Sequence, residues 1–227
     1  RQLTSQACHG LRDTGGAHTL AHSGSVPMTG FAKGRYWARH ADGSEDIEAA
    51  QRLRRLAFHG PSASGRDQDP FDDICTHVLV EEADSGRLVC CFRILPLAGW
   101  GDIGRSYSAQ FYELSALSTF EGPMVEIGRF CVHPEARDPD IVRVAWAAMT
   151  RYVDDNGVEM LFGCSSFKGT DAEDYHDSFA MLAARHLAPR RWWPRVKAPS
   201  VVEFAKKLRL RQPDAKQAML RMPPLLR

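Results

Sequence analysis

Apolar and polar positions alternate along this chain in two distinct periods. Ile47, Ala50, Leu53, Leu56 and Ala57 recur three and four residues apart, which predicts a helix from Gly43 to Gly60-Pro61 with Ser44 placed to cap it. Thr76 to Glu82 and Arg87 to Leu95 are β-rich runs joined by Ala83-Asp84-Ser85-Gly86, a hairpin signal in which Gly86 can take the positive φ of a tight turn. A loop with Gly99, Gly101 and Gly104 leads to an expected short helix around Ser108 to Leu117. Met124 to Val132 alternates as a strand. Asp138-Pro139 then opens the strongest helical pattern, with Asp138 able to cap free amides and Pro139 suited to the first helical position. Asn156-Gly157 carries the chemistry of its C-terminal end. Val158 to Cys164 predicts a strand, Asp171 to His186 a helix, and Val201 to Phe204 a final short strand.

The order helix, hairpin, helix, strand, helix, strand, helix predicts an α/β domain with a mixed central sheet. Residues 1–27 lack this periodicity and are rich in Ser, Thr, Gly and His, so they read as a disordered or non-native extension, with Met28 as the working start. Residues 28–227 read as a single domain with a basic C-terminal region.

Composition adds little beyond this. Apolar residues form 44% and charged residues 25%, as in ordinary globular proteins, and the net charge is +1, which gives no argument for nucleic acid. The distribution of charge is more informative. Arg185 to Arg227 holds twelve Lys/Arg against two acids, whereas His40 to Glu82 holds ten acids against four arginines. A basic face suits an acidic partner protein or an anionic membrane surface, and a plain solvated surface accounts for it equally. No run reaches the roughly 18 apolar residues of a spanning helix. The cysteines show no CxxC pair and no zinc-like spacing with histidine, so no metal is expected, and reduced thiols in a cytoplasmic setting are the simplest reading.

Several residues can carry chemistry. Strict alternation puts Glu126, Gly128 and Phe130 on one face of their strand and Ile127 and Arg129 on the other, unless a bulge intervenes. A strand carboxylate beside exposed backbone amides can act as a general base next to a carbonyl-polarising site, or it can simply pair with a local arginine. Arg93 sits among apolar residues and needs a partner, either Asp72 or Asp73 or a substrate carboxylate. Asp72 and Asp73 can recognise a cation or serve as caps. Gly163-Cys164-Ser165-Ser166-Phe167 offers hydroxyls and a thiol near His176, but no nucleophile elbow.

These residues together resemble a known group. The run from Phe31 to Arg227 is similar to the ornithine N-acyltransferases of ornithine-lipid synthesis, which are related to the GNAT proteins and to acyl-homoserine-lactone synthases. The resemblance is carried by Gly34-Arg35-Tyr36, Arg55-x-x-Phe58, Phe71-Asp72-Asp73, Cys91 to Pro96, Glu126 to Pro134, and Gly163 to Phe167 followed by Gly169-Thr170-Asp171. It implies a GNAT-like acyltransferase fold and a 3-hydroxyacyl thioester on acyl carrier protein as donor. It further implies ornithine as acceptor and no bound cofactor beyond the donor's phosphopantetheine. Carried over, Glu126 is the base with Arg129 beside it. Arg93, Asp72, Asp73, Gly128, Phe130, Ser165 and Ser166 are the candidate substrate contacts. Glutamine or homoserine as acceptor, and a non-catalytic module that holds carrier protein or membrane, remain alternatives.

The Q/R-x-x-G-x-G/A loop that holds coenzyme A in GNAT proteins is missing, because Pro134 to Asp140 contains no glycine. That favours a carrier-protein donor, since coenzyme A needs helix-start amides for its pyrophosphate. Contact with the inner membrane is expected to be peripheral at most. The related chains are expected to continue beyond Leu225-Leu226-Arg227.

Overall fold

In a computed structural model of the chain, residues 3–6, 9–10, 30–169, 171–201 and 213–226 are described. Among them a mixed sheet runs in the order β1-β9-β8-β6-β5-β4-β3. Its strands are β1 (Leu3–Gln6), β3 (Phe31–Lys33), β4 (Tyr36–His40), β5 (Thr76–Glu82), β6 (Leu88–Leu97), β8 (Met124–Val132) and β9 (Met160–Phe167). A two-residue β2 (His9–Gly10) also pairs with β9. From β3 through β8 the neighbours are antiparallel, and among the described residues only β8 and β9 run parallel. A parallel pair needs a long crossover, which α2 (Pro139–Asp155) supplies.

Each sheet face has its own cover. On one, Val78, Phe92, Ile94, Val125 and Ile127 pack against Ile141, Val144, Ala145, Ala148 and Met149 of α2. On the other, Ala50 and Leu53 of α1 (Ser44–His59) pack on Leu79, Cys91 and Cys131. Further along that second face, Leu95, Leu97, Met124 and Phe162 meet Ile103, Leu114 and Leu117 from the loop before β8. Beside β9 lie α3 (His176–Arg185) and α4 (Ala215–Arg221), which pack on each other through Met181, Ala218 and Met222.

The periodic signals place most elements correctly. Gly86 has φ 68° in the hairpin, Asp138 Oδ1 accepts from the Asp140 amide at 3.0 Å, and Gly157 has φ 59° after α2. Some boundaries differ. Gly43, at φ 92°, caps α1 in place of Ser44, and Asp46 takes the Asp42 amide at 2.7 Å. The expected helix over Ser108 to Leu117 is instead two 3-10 turns, Ser108–Gln110 and Ser115–Thr119, around β7 (Tyr112–Glu113). The chain cannot continue helically there because β7 pairs with β10 (Arg195–Val196). The strand expected at Val158 starts at Met160, because the Glu159 and Met160 amides both turn to the Pro123 carbonyl. Asp171 accepts from Glu173, so a 3-10 turn precedes α3. Residues 202–204 of the last expected strand lie outside the described residues.

Candidate active site

The site begins with a break in register. Arg93 of β6 faces Gly128 of β8, yet Cys91 faces Cys131, so Arg129 and Phe130 together oppose Phe92. That is a β-bulge, and Arg129 adopts φ 53°, the left-handed region that a side chain normally avoids. The extra residue resets the alternation. Phe130 turns to the α2 face, where its ring lies 5.7 Å from that of Phe92, and Arg129 joins the α1 face that also holds Glu126. Strict alternation separates those two residues.

Left-handed backbone at Arg129 costs about 1–2 kcal/mol. Its guanidinium offsets part of this through charged contacts, with Nη2 2.9 Å from Asp69 Oδ2 and Nε 3.3 Å from Asp67 Oδ1. Only the Asp69 contact is a hydrogen bond, and at about 1.5–3 kcal/mol for a bond to a charged group it is of the same order as the strain. The guanidinium also lies over the Tyr107 ring at 5.3 Å.

Two more arginines complete the cluster. Arg93 donates to Asp69 at 2.6 Å and to Asp72 at 2.8 Å, while Arg54 donates to Asp72 at 2.7 Å and 2.9 Å. Gln51 and the Asp69 amide also reach Asp72, at 2.9 Å and 3.2 Å. Burial would raise the Asp72 pKa, but the hydrogen bonds and charges of Arg54 and Arg93 outweigh it and hold the group well below the carboxylate range. Arg54, Arg93 and Arg129 thus balance Asp67, Asp69 and Asp72. The oxygens of Asp72 are occupied by its own protein, and Asp73 is exposed and stands outside the network. Asp69 and Arg129 are the more open members, with side chains 16% and 15% exposed against 4% for Asp72.

Glu126 is buried on the same face. Its carboxylate accepts from the Tyr107 amide at 2.7 Å, the Ser108 amide at 2.7 Å and Ser108 Oγ at 2.5 Å. Burial pushes its pKa up, and these three donors oppose the rise without cancelling it. Ser108 Oγ stands 3.3 Å from Cys164 Sγ on β9. One hydroxyl therefore connects the buried carboxylate to the next strand.

β8 and β9 then separate. Their parallel register runs from Met124↔Met160 to Ile127↔Gly163, and beyond it no pairing joins residues 128–132 to 164–167. Gly163 permits the close approach just before the split, since a Cβ there would overlap the Ile127 carbonyl oxygen. Past the split opens a cavity of about 420 Å³ lined mostly by apolar side chains, including Trp146, Met149, Met181, Met222 and Leu225. Ser165 is on its wall, whereas Ser166 is not. Gly163 and Cys164 line this cavity and also a small cleft on the other side, beside Ser108.

Of the residues expected from sequence, Arg93, Asp72, Glu126, Gly128 and Arg129 thus converge on one face. Phe130 packs in the opposite core, and His176 pairs with Glu173 at 3.2 Å. The reading missed Arg54, Asp67, Asp69 and Ser108. Nothing in their spacing marks them, because all four act through loop or helix positions brought to the sheet by folding.

Fold and site together define a GNAT-class acyltransferase, with a mixed sheet whose parallel pair parts over an apolar cavity. The model of the GNAT acetyltransferase domain matches residues 53–147. The L-ornithine N(alpha)-acyltransferase of Rhodobacter capsulatus is 32% identical over 206 residues, 85% of this chain and 78% of that protein. That of Rhizobium meliloti is 29% identical over 208 residues, 83% of this chain and 69% of that protein. An acyl-homoserine-lactone synthase of Agrobacterium fabrum is 33% identical over 92 residues, 38% of this chain and 43% of that protein. The chain belongs to the L-ornithine Nα-acyltransferase family.

Proposed function

We propose that this protein moves a 3-hydroxyacyl group from acyl carrier protein onto the α-amino group of L-ornithine, giving lyso-ornithine lipid. The observation that carries the reading is the apolar cavity of about 420 Å³ opening where β8 and β9 part, with a buried, hydroxyl-linked carboxylate on the opposite side of Gly163 and Cys164. An acyl chain in that cavity gains about 0.8 kcal/mol per buried methylene. The names of the relatives supply the acceptor. The glycine-free stretch Pro134 to Asp140 supports a carrier-protein donor, whose phosphopantetheine arm brings the thioester without any cofactor held by this chain.

In the proposed reaction the amine lone pair attacks the thioester carbonyl. The C–N bond forms, the C–S bond breaks, and backbone amides of residues 128–130, which lack a β9 partner, face the developing oxyanion. The amine proton passes to Ser108 Oγ as the Ser108 proton passes to Glu126. Glu126 then returns a proton to the departing thiolate, so the enzyme ends as it began. Asp69 and Arg129, at the open edge of the ion cluster, meet the amino acid's ammonium and carboxylate. Arg93 and Asp72 hold those two in place.

The test is thiol release from 3-hydroxyacyl carrier protein and from the matching coenzyme A thioester, with ornithine, glutamine or homoserine added singly. Ornithine-dependent release from the carrier protein is expected. Equal release with glutamine would replace the acceptor, and preference for coenzyme A would replace the donor.

A further inference from the structure

We propose that the surface formed by the segment after α3 and the outer side of α4 docks on an anionic lipid bilayer. From Arg185 to Lys197 the chain holds four arginines and a lysine and no acid. Arg185, Arg190 and Arg191 are exposed, and among the described residues no carboxylate pairs with them. Apolar side chains stand between these charges in the open. Leu187 is 59% exposed, Leu220 58% and Trp193 40%. Arg190 lies over the Trp193 ring at 5.8 Å and Arg191 over the Trp192 ring at 5.0 Å, which fixes cations beside aromatic rings.

The parts are neighbours. Trp193 Nε1 donates to the Ala188 carbonyl at 2.7 Å, folding the segment back toward the end of α3. His186 and Met219 both line the apolar cavity, so its rim belongs to this surface.

Charge alone would suit an acidic protein as well as a membrane. The exposed aliphatic residues decide between them, because isolated Leu side chains among arginines gain little on a carboxylate-rich protein face. They gain their transfer energy at the headgroup boundary, where Trp is also favoured and each nearby Arg or Lys is attracted by anionic lipid. Among the described residues no helix is long and apolar enough to cross a membrane, so contact through this surface is at the interface. If the acyl-transfer reading is right, the water-insoluble product leaves a cavity that opens on lipid. The docking itself does not depend on that reading.

The experiment is co-sedimentation of the full chain, without substrates, with vesicles of phosphatidylglycerol and phosphatidylethanolamine or of phosphatidylcholine alone. Wild type is expected to pellet with the anionic vesicles and to be released by salt. The Arg190→Gln/Arg191→Gln double variant, with an unchanged circular dichroism spectrum, is expected to partition at least about tenfold less. Brominated phosphatidylglycerol is expected to quench wild-type tryptophan emission, and markedly less so in Trp193→Phe. Absence of wild-type binding, or equal binding and quenching in both variants, overturns the proposal. So does carrier protein co-eluting with wild type but not with the double variant while vesicles bind neither. Because no acyl donor is present, failure of the ornithine reading would leave this result unaffected.

Discussion

Ser108 Oγ donates to Glu126 Oε1 at 2.5 Å, and the same hydroxyl stands 3.3 Å from Cys164 Sγ across the split between strands. The carboxylate is too enclosed to meet an amine unaided, so the serine is the group through which a proton would reach it. Ser108→Ala removes that path but leaves the two backbone donors that hold Glu126. Steady-state kinetics should show kcat falling by about 10²-fold, the scale of lost general base catalysis, with little change in KM for ornithine. Partial retention of kcat in Ser108→Thr, against the loss in Ser108→Ala, separates the relay from simple packing.

The acid limb of the pH–rate profile offers a second check. Glu126 must be ionised to accept the proton, and burial lifts its pKa above the ordinary glutamate value of about 4.3. Activity should therefore fall as pH drops through a value higher than that. Ser108→Ala takes away a hydrogen bond that favours the ionised form, so the acid limb of the residual activity should move to higher pH. A shift to lower pH would contradict the assigned contacts.

Much of the fold was legible because both periods are strong. Alternation marks β5, β6 and β8, and the Asp138-Pro139 start and Asn156-Gly157 end bound α2 closely. The site was less legible. Alternation assigns Arg129 and Phe130 to the wrong faces because the bulge arises from pairing with β6, and no local signal announces it. Asp67 and Asp69 look like ordinary loop acids until Arg54, Arg93 and Arg129 converge on them. Glu126 stands out in the sequence as a strand carboxylate, but its partners come from a loop whose conformation Glu126 itself helps to set.

The ion cluster should govern acid stability. Asp72 has its folded-state pKa lowered, so the stability it contributes is present above its unfolded value, about 3.9, and is lost as pH falls toward the folded value. Glu126 works the other way. Its raised pKa gives a contribution that is full below the unfolded value and disappears as pH rises through the folded one. Urea unfolding should show a falling midpoint below about pH 4. Asp72→Asn leaves Arg54 and Arg93 short of a buried counter-charge and should cost about 3–5 kcal/mol at neutral pH, with a shallower acid decline.

Two glycines make a contrast that thermal melting can resolve. A Cβ at Gly128 would come no nearer than 4.0 Å to Arg93 Nε, an ordinary contact, whereas one at Gly163 would collide with the Ile127 backbone. Gly128→Ala should leave the melting temperature within a few degrees of wild type. Gly163→Ala forces β8 and β9 apart and should cost about 1–3 kcal/mol or more, lowering the melting temperature by at least several degrees. Equal effects would mean that the strands do not approach as described.

The most direct measurement is ornithine-dependent thiol release from 3-hydroxyacyl carrier protein by wild type and Glu126→Gln, compared under saturating substrates. The amide keeps the size of the side chain and can still accept from Ser108, but its NH2 then meets the Tyr107 amide donor and it cannot take a proton. Wild type should release thiol only when ornithine is present, and the variant should lose about 10²–10⁴-fold in kcat while it still melts as a folded protein above the assay temperature. Undiminished release by a folded Glu126→Gln protein would show that the buried carboxylate is structural and that the proton leaves by another route.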